Sequence, residues 1–334
     1  MTSPAIPPRL PLGVLPTPLV PAPRLRAALG CGPLWIKRDD LAGFGVAGNK
    51  TRPLEHLLGD ALARGADVLV TGGGPDSNFV AAAALAARVA GIDCELVVWG
   101  AGTLDPTPNL ALAAAAGATV VPLDDVGVDG RERVDVVVAE RATALRAAGR
   151  HPVAVPRGGS TPVGAAGFAV AAAELLDQGP APDTVVLPLG SGGSTAGLLA
   201  GLAAAGAGTR VLAVSVSRPP AEITEKVLDL ARACADLLGT PAPRADRLEV
   251  VDHRGPGFGV AAPGDRAAAA TALRTEGLLL DDTYGAKAFA IALDRLSGGD
   301  LPGPVVLWHT GGVASALAHL GPRPSDHPAL TGAP

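Results

Sequence analysis

Four lysines occur in 334 residues, Lys37, Lys50, Lys226 and Lys287, so amine chemistry has few candidates. Lys50 differs from the others in its neighbours. It follows Gly48-Asn49 where a helix is expected to begin, and backbone N–H dipoles together with desolvation lower an ammonium pKa there, towards a nucleophilic amine. Most lysines are simply solvated. Lys37, inside a charged strand end, and Lys226, on a polar helix face, read that way.

A second cluster is Gly190-Ser191-Gly192-Gly193-Ser194-Thr195, lying between an expected strand and an expected helix. Glycines let backbone N–H groups crowd around an anion, and a helix N-terminus adds its positive dipole end, so the loop reads as a phosphate cradle. It lacks the lysine of a nucleotide P-loop and does not fit GxGxxG with a later acidic ribose ligand, which favours a small monophosphate over a dinucleotide. A tight strand-to-helix turn without ligand is the alternative. Together with such a cradle, Lys50 becomes a candidate Schiff-base lysine.

Three further groups sit at expected strand ends or helix starts. Ser77-Asn78 follows Gly72-Gly73-Gly74, where hydroxyl and amide either meet a ligand or cap the next helix. Tyr284 is the single tyrosine, and it reads equally as an amphipathic filler. His309-Thr310-Gly311-Gly312 follows an apolar run: Thr310 is placed for a flat ligand, and His309 as ligand or satisfied core residue.

Alternating patterns supply the elements that position these groups. Strands are expected at Val68–Thr71, Glu95–Trp99, Thr119–Pro122, Val153–Pro156, Thr184–Leu189, Val211–Val216 and Val305–His309. Helices are expected at Pro53–Arg64, Phe79–Ala90, Asn109–Ala116, Asp135–Ala148, Ala165–Leu176, Thr195–Ala205, Glu222–Leu238, Asp265–Glu276 and Gly285–Leu296, with one more after Gly312. Such alternation predicts an α/β protein with two open parallel sheets, helices on both faces, and a ligand cleft at the carboxyl ends of the strands. The stretch between Leu238 and Asp265 reads as irregular.

Composition agrees with a packed core: 48% of residues are hydrophobic and only 3% aromatic, which suits close helix-on-sheet layers built from small side chains. A net charge of -5 without basic clusters argues against nucleic acid. Apolar runs break before the ~18 residues of a membrane span, and the eight prolines between Met1 and Pro23 do not resemble an export signal, so a cytoplasmic location is expected. Cys31, Cys94 and Cys234 show no metal or redox spacing and are expected to be small buried hydrophobes. No metal site is expected.

In order along the chain stand Pro16-Thr17-Pro18-Leu19, Ile36-Lys37-Arg38-Asp39-Asp40-Leu41, Gly48-Asn49-Lys50, Ser77-Asn78, Gly158-Gly159-Ser160, Gly190-Ser191-Gly192-Gly193, Glu276-Gly277, Tyr284 and His309-Thr310-Gly311-Gly312. With these segments the chain resembles the family of 1-aminocyclopropane-1-carboxylate deaminase and D-cysteine desulfhydrase, of the tryptophan-synthase-beta-like class. The resemblance implies fold type II and pyridoxal 5'-phosphate, with Lys50 as the internal aldimine lysine. It places Asn78 on the ring hydroxyl, Gly190 through Thr195 on the phosphate and Thr310 at the pyridine nitrogen. Ser77 and Tyr284 would face the substrate as catalytic groups, and Phe79, Gly159, Ser160 and Phe258 would line its pocket with Asn78. It further implies a small domain at 48–162, a large one from 1–47 and 163–325 and a homodimer, while the proline-rich end of the chain is itself expected to fray, at 326–334.

Three departures bear on substrate. Phe79 stands where the family has His or Gln, Phe258 where it has Tyr, and Gly285 where the deaminases carry Glu. A neutral partner at the pyridine nitrogen makes the ring a weaker electron sink, which suits prompt expulsion of a β-substituent. The expected activity is therefore β-elimination on a small amino acid such as D-cysteine. The alternatives are deamination, β-replacement or racemisation in a specialised pathway, or a non-catalytic homologue that binds the cofactor.

Overall fold

A computed structural model describes residues 6–100, 107–123 and 128–320. In chain order it contains β1 (Leu19–Pro21), α1 (Pro23–Leu29), β2 (Leu34–Arg38), α2 (Thr51–Ala63), β3 (Val68–Gly73), α3 (Asn78–Ala90), β4 (Asp93–Trp99) and α4 (Pro108–Ala115). There follow β5 (Thr119–Leu123), α5 (Val128–Ala147), β6 (Pro152–Ala154), α6 (Pro162–Asp177), β7 (Thr184–Leu189), α7 (Gly193–Ala204), β8 (Arg210–Ser215) and α8 (Pro220–Leu238). The described chain ends with β9 (Leu248–Asp252), α9 (Pro263–Glu276), α10 (Gly285–Gly298), β10 (Val305–His309) and α11 (Val313–Leu320). The expected tail at 326–334 lies outside the described residues.

The strands form two sheets. Six run in the order β1-β2-β10-β7-β8-β9 and four in the order β5-β4-β3-β6. Alternation along each strand divides the core into layers, because successive side chains leave a strand on opposite faces. Val186, Leu212, Val214 and Leu307 enter one apolar cluster, while Val185, Leu187, Ala213 and Val306 enter another. In the smaller sheet Leu69, Leu96 and Val98 face one way and Val68, Val70 and Val97 the other. Both sheets are thus covered by helices on two faces, as an α/β fold requires.

All neighbouring pairs are parallel except β1 with β2, which is antiparallel. The six-stranded sheet is therefore not wholly parallel. Proline is tolerated at a sheet edge, where its missing N–H costs no ladder bond, and Pro21 sits in the edge strand β1. The other edge, β9, occupies the stretch whose sequence reads as irregular; it is only partly buried, so its apolar pattern is weak.

Lys37 corrects the sequence reading. It is not solvated but fully buried, donating to the Thr17 carbonyl at 2.7 Å, to Gln178 Oε1 at 2.6 Å and to the Glu174 carboxylate. Arg52 completes the network, contacting both Asp39 oxygens at 2.8 and 2.9 Å and both Glu174 oxygens at 2.8 and 2.9 Å. Burial works to raise the Asp39 pKa, but the adjacent guanidinium outweighs it and holds the carboxyl below its ordinary value. Cys94 and Cys234 are buried, and burial pushes both thiols up to about 12; Cys31, expected to be buried as well, is partly exposed.

Candidate active site

The carboxyl ends of β3, β7 and β10 open into one cavity of about 540 Å³. Lining it are Lys50, Ser77, Asn78, Phe79, Gly159, Ser160, the run Gly190 to Thr195, Phe258, Tyr284 and Thr310, but not His309. They come from segments as far apart as residues 50 and 310, and the sheet topology unites them.

Lys50 closes a short 3-10 turn, Gly48–Lys50, and leads directly into α2. Gly48 has φ +53°, and a Cβ there would lie 2.5 Å from the Thr310 carbonyl oxygen, so only glycine lets the lysine turn dock on the end of β10. Asn49 makes the tie on both sides. Its backbone N–H donates to the Thr310 carbonyl at 2.9 Å, and its side-chain amide donates to Ser194 Oγ at 3.1 Å. The lysine turn is hydrogen-bonded to the glycine-rich loop. Desolvation lowers the Lys50 pKa to about 8, with the nearby Asp281 charge acting in the opposite direction.

The loop itself turns at Gly192, with φ +103°, and α7 begins at Gly193. Thr195, in the first turn of α7, is 1% exposed, and its hydroxyl finds no hydrogen-bond partner among the described residues. An orphaned buried hydroxyl at a helix start, beside glycine N–H groups, suits a phosphate. From across the cleft, Ser160 Oγ donates to Ser191 Oγ at 2.8 Å and accepts from the Gly193 N–H at 3.2 Å.

Ser77 caps α3, accepting from the Val80 N–H at 3.3 Å, and it also lines the cavity. Phe79 is only 2% exposed and packs within an apolar cluster of the small sheet. A Cβ at Gly159 would lie 2.8 Å from its ring, which makes Phe79 chiefly a support for the Gly159 turn. Tyr284 precedes α10 and meets Phe258 edge-on, with centroids 5.9 Å apart. His309 is buried, its ring nitrogen Nδ1 accepting from the Gly311 N–H at 3.3 Å, and burial lowers its pKa.

Asp281 escaped the sequence reading. It is 2% exposed, lines the cavity and accepts from the N–H groups of Thr283, Tyr284 and Gly285 at 3.1, 3.0 and 2.9 Å. Desolvation raises its pKa against those three donors. The signal was present as an Asp four residues before a helix start, a place where a carboxylate satisfies orphan N–H groups.

A family model described as "Pyridoxal-phosphate dependent enzyme" matches residues 10–311. The chain belongs to this family. Its cofactor is pyridoxal 5'-phosphate. Among family members it is 35% identical to a D-cysteine desulfhydrase of Yersinia enterocolitica over 93% of this chain and 96% of that one. It is 38% identical to the nocardicin C-9' epimerase of Nocardia uniformis, over 94% and 98% of the two chains. A solved structure of a homologue of 1-aminocyclopropane-1-carboxylate deaminase superposes with a TM-score of 0.87 at 33% identity, covering 93% and 94%. The family fold is accordingly type II, and the chain is an enzyme of the 1-aminocyclopropane-1-carboxylate deaminase and D-cysteine desulfhydrase kind. Among the described residues, no helix is long and apolar enough to cross a membrane.

Proposed function

We propose that the chain is a lyase that eliminates a β-substituent from a small amino acid, D-cysteine or a similar β-substituted compound, giving a 2-oxo acid and ammonia. The observation that carries this reading is the Lys50 turn, hydrogen-bonded through Asn49 to a glycine loop holding an unpartnered buried hydroxyl. A small phosphorylated aldehyde spans such a gap. Bound pyridoxal phosphate supplies the electron withdrawal that weakens the substrate Cα–H bond.

The remaining work falls to side chains. Lys50, with a pKa near 8, is suited to take the Cα proton as general base. The leaving group departs from Cβ with its electron pair, and the unsaturated amine released adds water to give the 2-oxo acid and ammonia. Ser77 and Tyr284 line the cavity where they face the substrate, and Thr310 offers a neutral hydroxyl to the ring nitrogen. A homodimer in the cytoplasm is part of this reading.

Borohydride treatment of the protein loaded with pyridoxal phosphate is expected to leave a reduced adduct on the peptide containing Lys50. Loaded protein that has not been reduced should give pyruvate, ammonia and sulfide from D-cysteine. A protein that takes up no cofactor on Lys50 sinks the proposal.

A second reading, inversion at Cα, is favoured by the 38% identity to an epimerase together with Phe258 and Gly285, neither of which brings a phenol or a carboxylate of its own to the cavity beside Tyr284. Exchange of the Cα hydrogen in deuterated water without oxo-acid release separates it from elimination. Formation of 2-oxobutyrate from 1-aminocyclopropane-1-carboxylate would instead assign deamination.

A further inference from the structure

We infer that Asn109 is a positioning residue: it fixes the polarity of the Asn78 side chain so that Asn78 presents its amide N–H, and not its oxygen, to the ring of the cofactor. The inference rests on the proposed placement of Asn78 at the cofactor's ring hydroxyl. It concerns a residue of α4 whose role the sequence does not suggest.

The start of α4 grips the loop that carries Ser77 and Asn78. Thr107, its N-cap, donates to the Pro75 carbonyl at 2.5 Å and accepts from the Leu110 N–H at 3.2 Å. Asn109 is 3% exposed, and its side-chain nitrogen donates to the Asp76 carbonyl at 2.9 Å and to Asn78 Oδ1 at 3.0 Å.

Polarity propagates along this chain of bonds. A backbone carbonyl can only accept, so the end of the Asn109 amide that faces the Asp76 oxygen must be its NH2 group. That group has two hydrogens, and the second points at Asn78. The Asn78 atom that meets it is therefore the oxygen, which assigns the Asn78 nitrogen to the remaining side, where the residue lines the cavity. The assignment needs no hydrogen to be seen, because it starts from a group whose role cannot be exchanged. A ring hydroxyl that ionises gains from a donated N–H, and a donor held at this point lowers its pKa.

Asn109→Asp is the decisive variant. Its carboxylate can only accept, so Asn78 turns its NH2 group towards the new carboxylate and exposes its oxygen to the ring. Relative to wild type, pyridoxal 5'-phosphate should bind about tenfold more weakly, the scale of one lost hydrogen bond of about 1.4 kcal/mol. The absorption band of the bound cofactor should titrate at higher pH. Asn109→Ala, which drops both donations without adding charge, should shift the titration in the same direction by less. In an Asn78→Ala background, Asn109→Asp should move neither property further, since the two residues act in series.

An Asn109→Asp protein that folds, loads and titrates like wild type overturns the inference and leaves the proposed function standing. So does an Asn109→Asp shift of full size in the Asn78→Ala background, which would mark Asn109 as a mere packing residue. A wild-type chain that captures no pyridoxal phosphate overturns both.

Discussion

At the residue scale the decisive quantity is the proton on Lys50. Only the neutral amine attacks an aldehyde, and desolvation brings the pKa down from 10.5 to about 8. The rate at which cofactor-free protein captures pyridoxal phosphate should therefore rise with pH through about 8 and level off above it, as followed by absorbance in stopped flow. A solvated lysine would still be accelerating at about pH 10. Asp281 tests the sign independently. Its charge raises the Lys50 pKa, so removing it in Asp281→Asn should move the midpoint to lower pH. A midpoint displaced upward would contradict the electrostatic account.

Elements hold that lysine through contacts the sequence conceals. The segment from Lys37 to Asp39, Arg52 and Glu174 join the end of β2, the start of α2 and α6, and Arg52 lies two residues beyond the lysine. Breaking a buried pair strands its partner's charge, so Arg52→Met should lose about 3–5 kcal/mol in urea unfolding. Arg52→Lys should recover little, since one ammonium cannot reproduce a guanidinium that contacts both carboxylates through paired oxygens. A glycine contact sets the next layer. A Cβ at Gly197 of α7 would lie 2.0 Å from the Ala165 carbonyl of α6, so Gly197→Ala should cost about 1–3 kcal/mol by overpacking and displace the turn that carries Thr195. Both effects involve a partner distant in sequence, Glu174 at 122 residues from Arg52 and Ala165 a full helix before Gly197. Periodicity revealed that α2, α6 and α7 exist, because each buries a stripe or a whole surface. It could not reveal that Lys37 turns inward, because its countercharge Glu174 lies 137 positions along the chain. Separation of 33 positions likewise hid Asn109, whose carbonyl acceptor carries no side-chain signature, whereas Asp281 has local donors and its place before a helix start was readable.

On the scale of the whole molecule, the glycine-rich turns were legible because positive φ and close backbone approach demand glycine, and they fall at strand ends where α/β proteins bind ligands. The short edges β1 and β9 were not, for three and five half-buried residues carry little pattern. The cleft makes its own prediction. Lys50 precedes α2, which leads into the four-stranded sheet, whereas Thr195 belongs to α7, which follows a strand of the six-stranded sheet. A ligand held at both ends must therefore stiffen both. At a free concentration of pyridoxal phosphate about 100 times its dissociation constant, linkage adds about 2.7 kcal/mol to the native state. Native-state hydrogen exchange should show that increment jointly at the amides of the Lys50 turn, at the start of α3 and at Gly193 to Thr195. In Lys50→Ala the phosphate end alone remains anchored, so protection should persist at Gly193 to Thr195 and fall at the lysine turn. Protection confined to α7 in the wild type would mean that the ligand rests on one sheet only, and the lysine would then have no part in holding it.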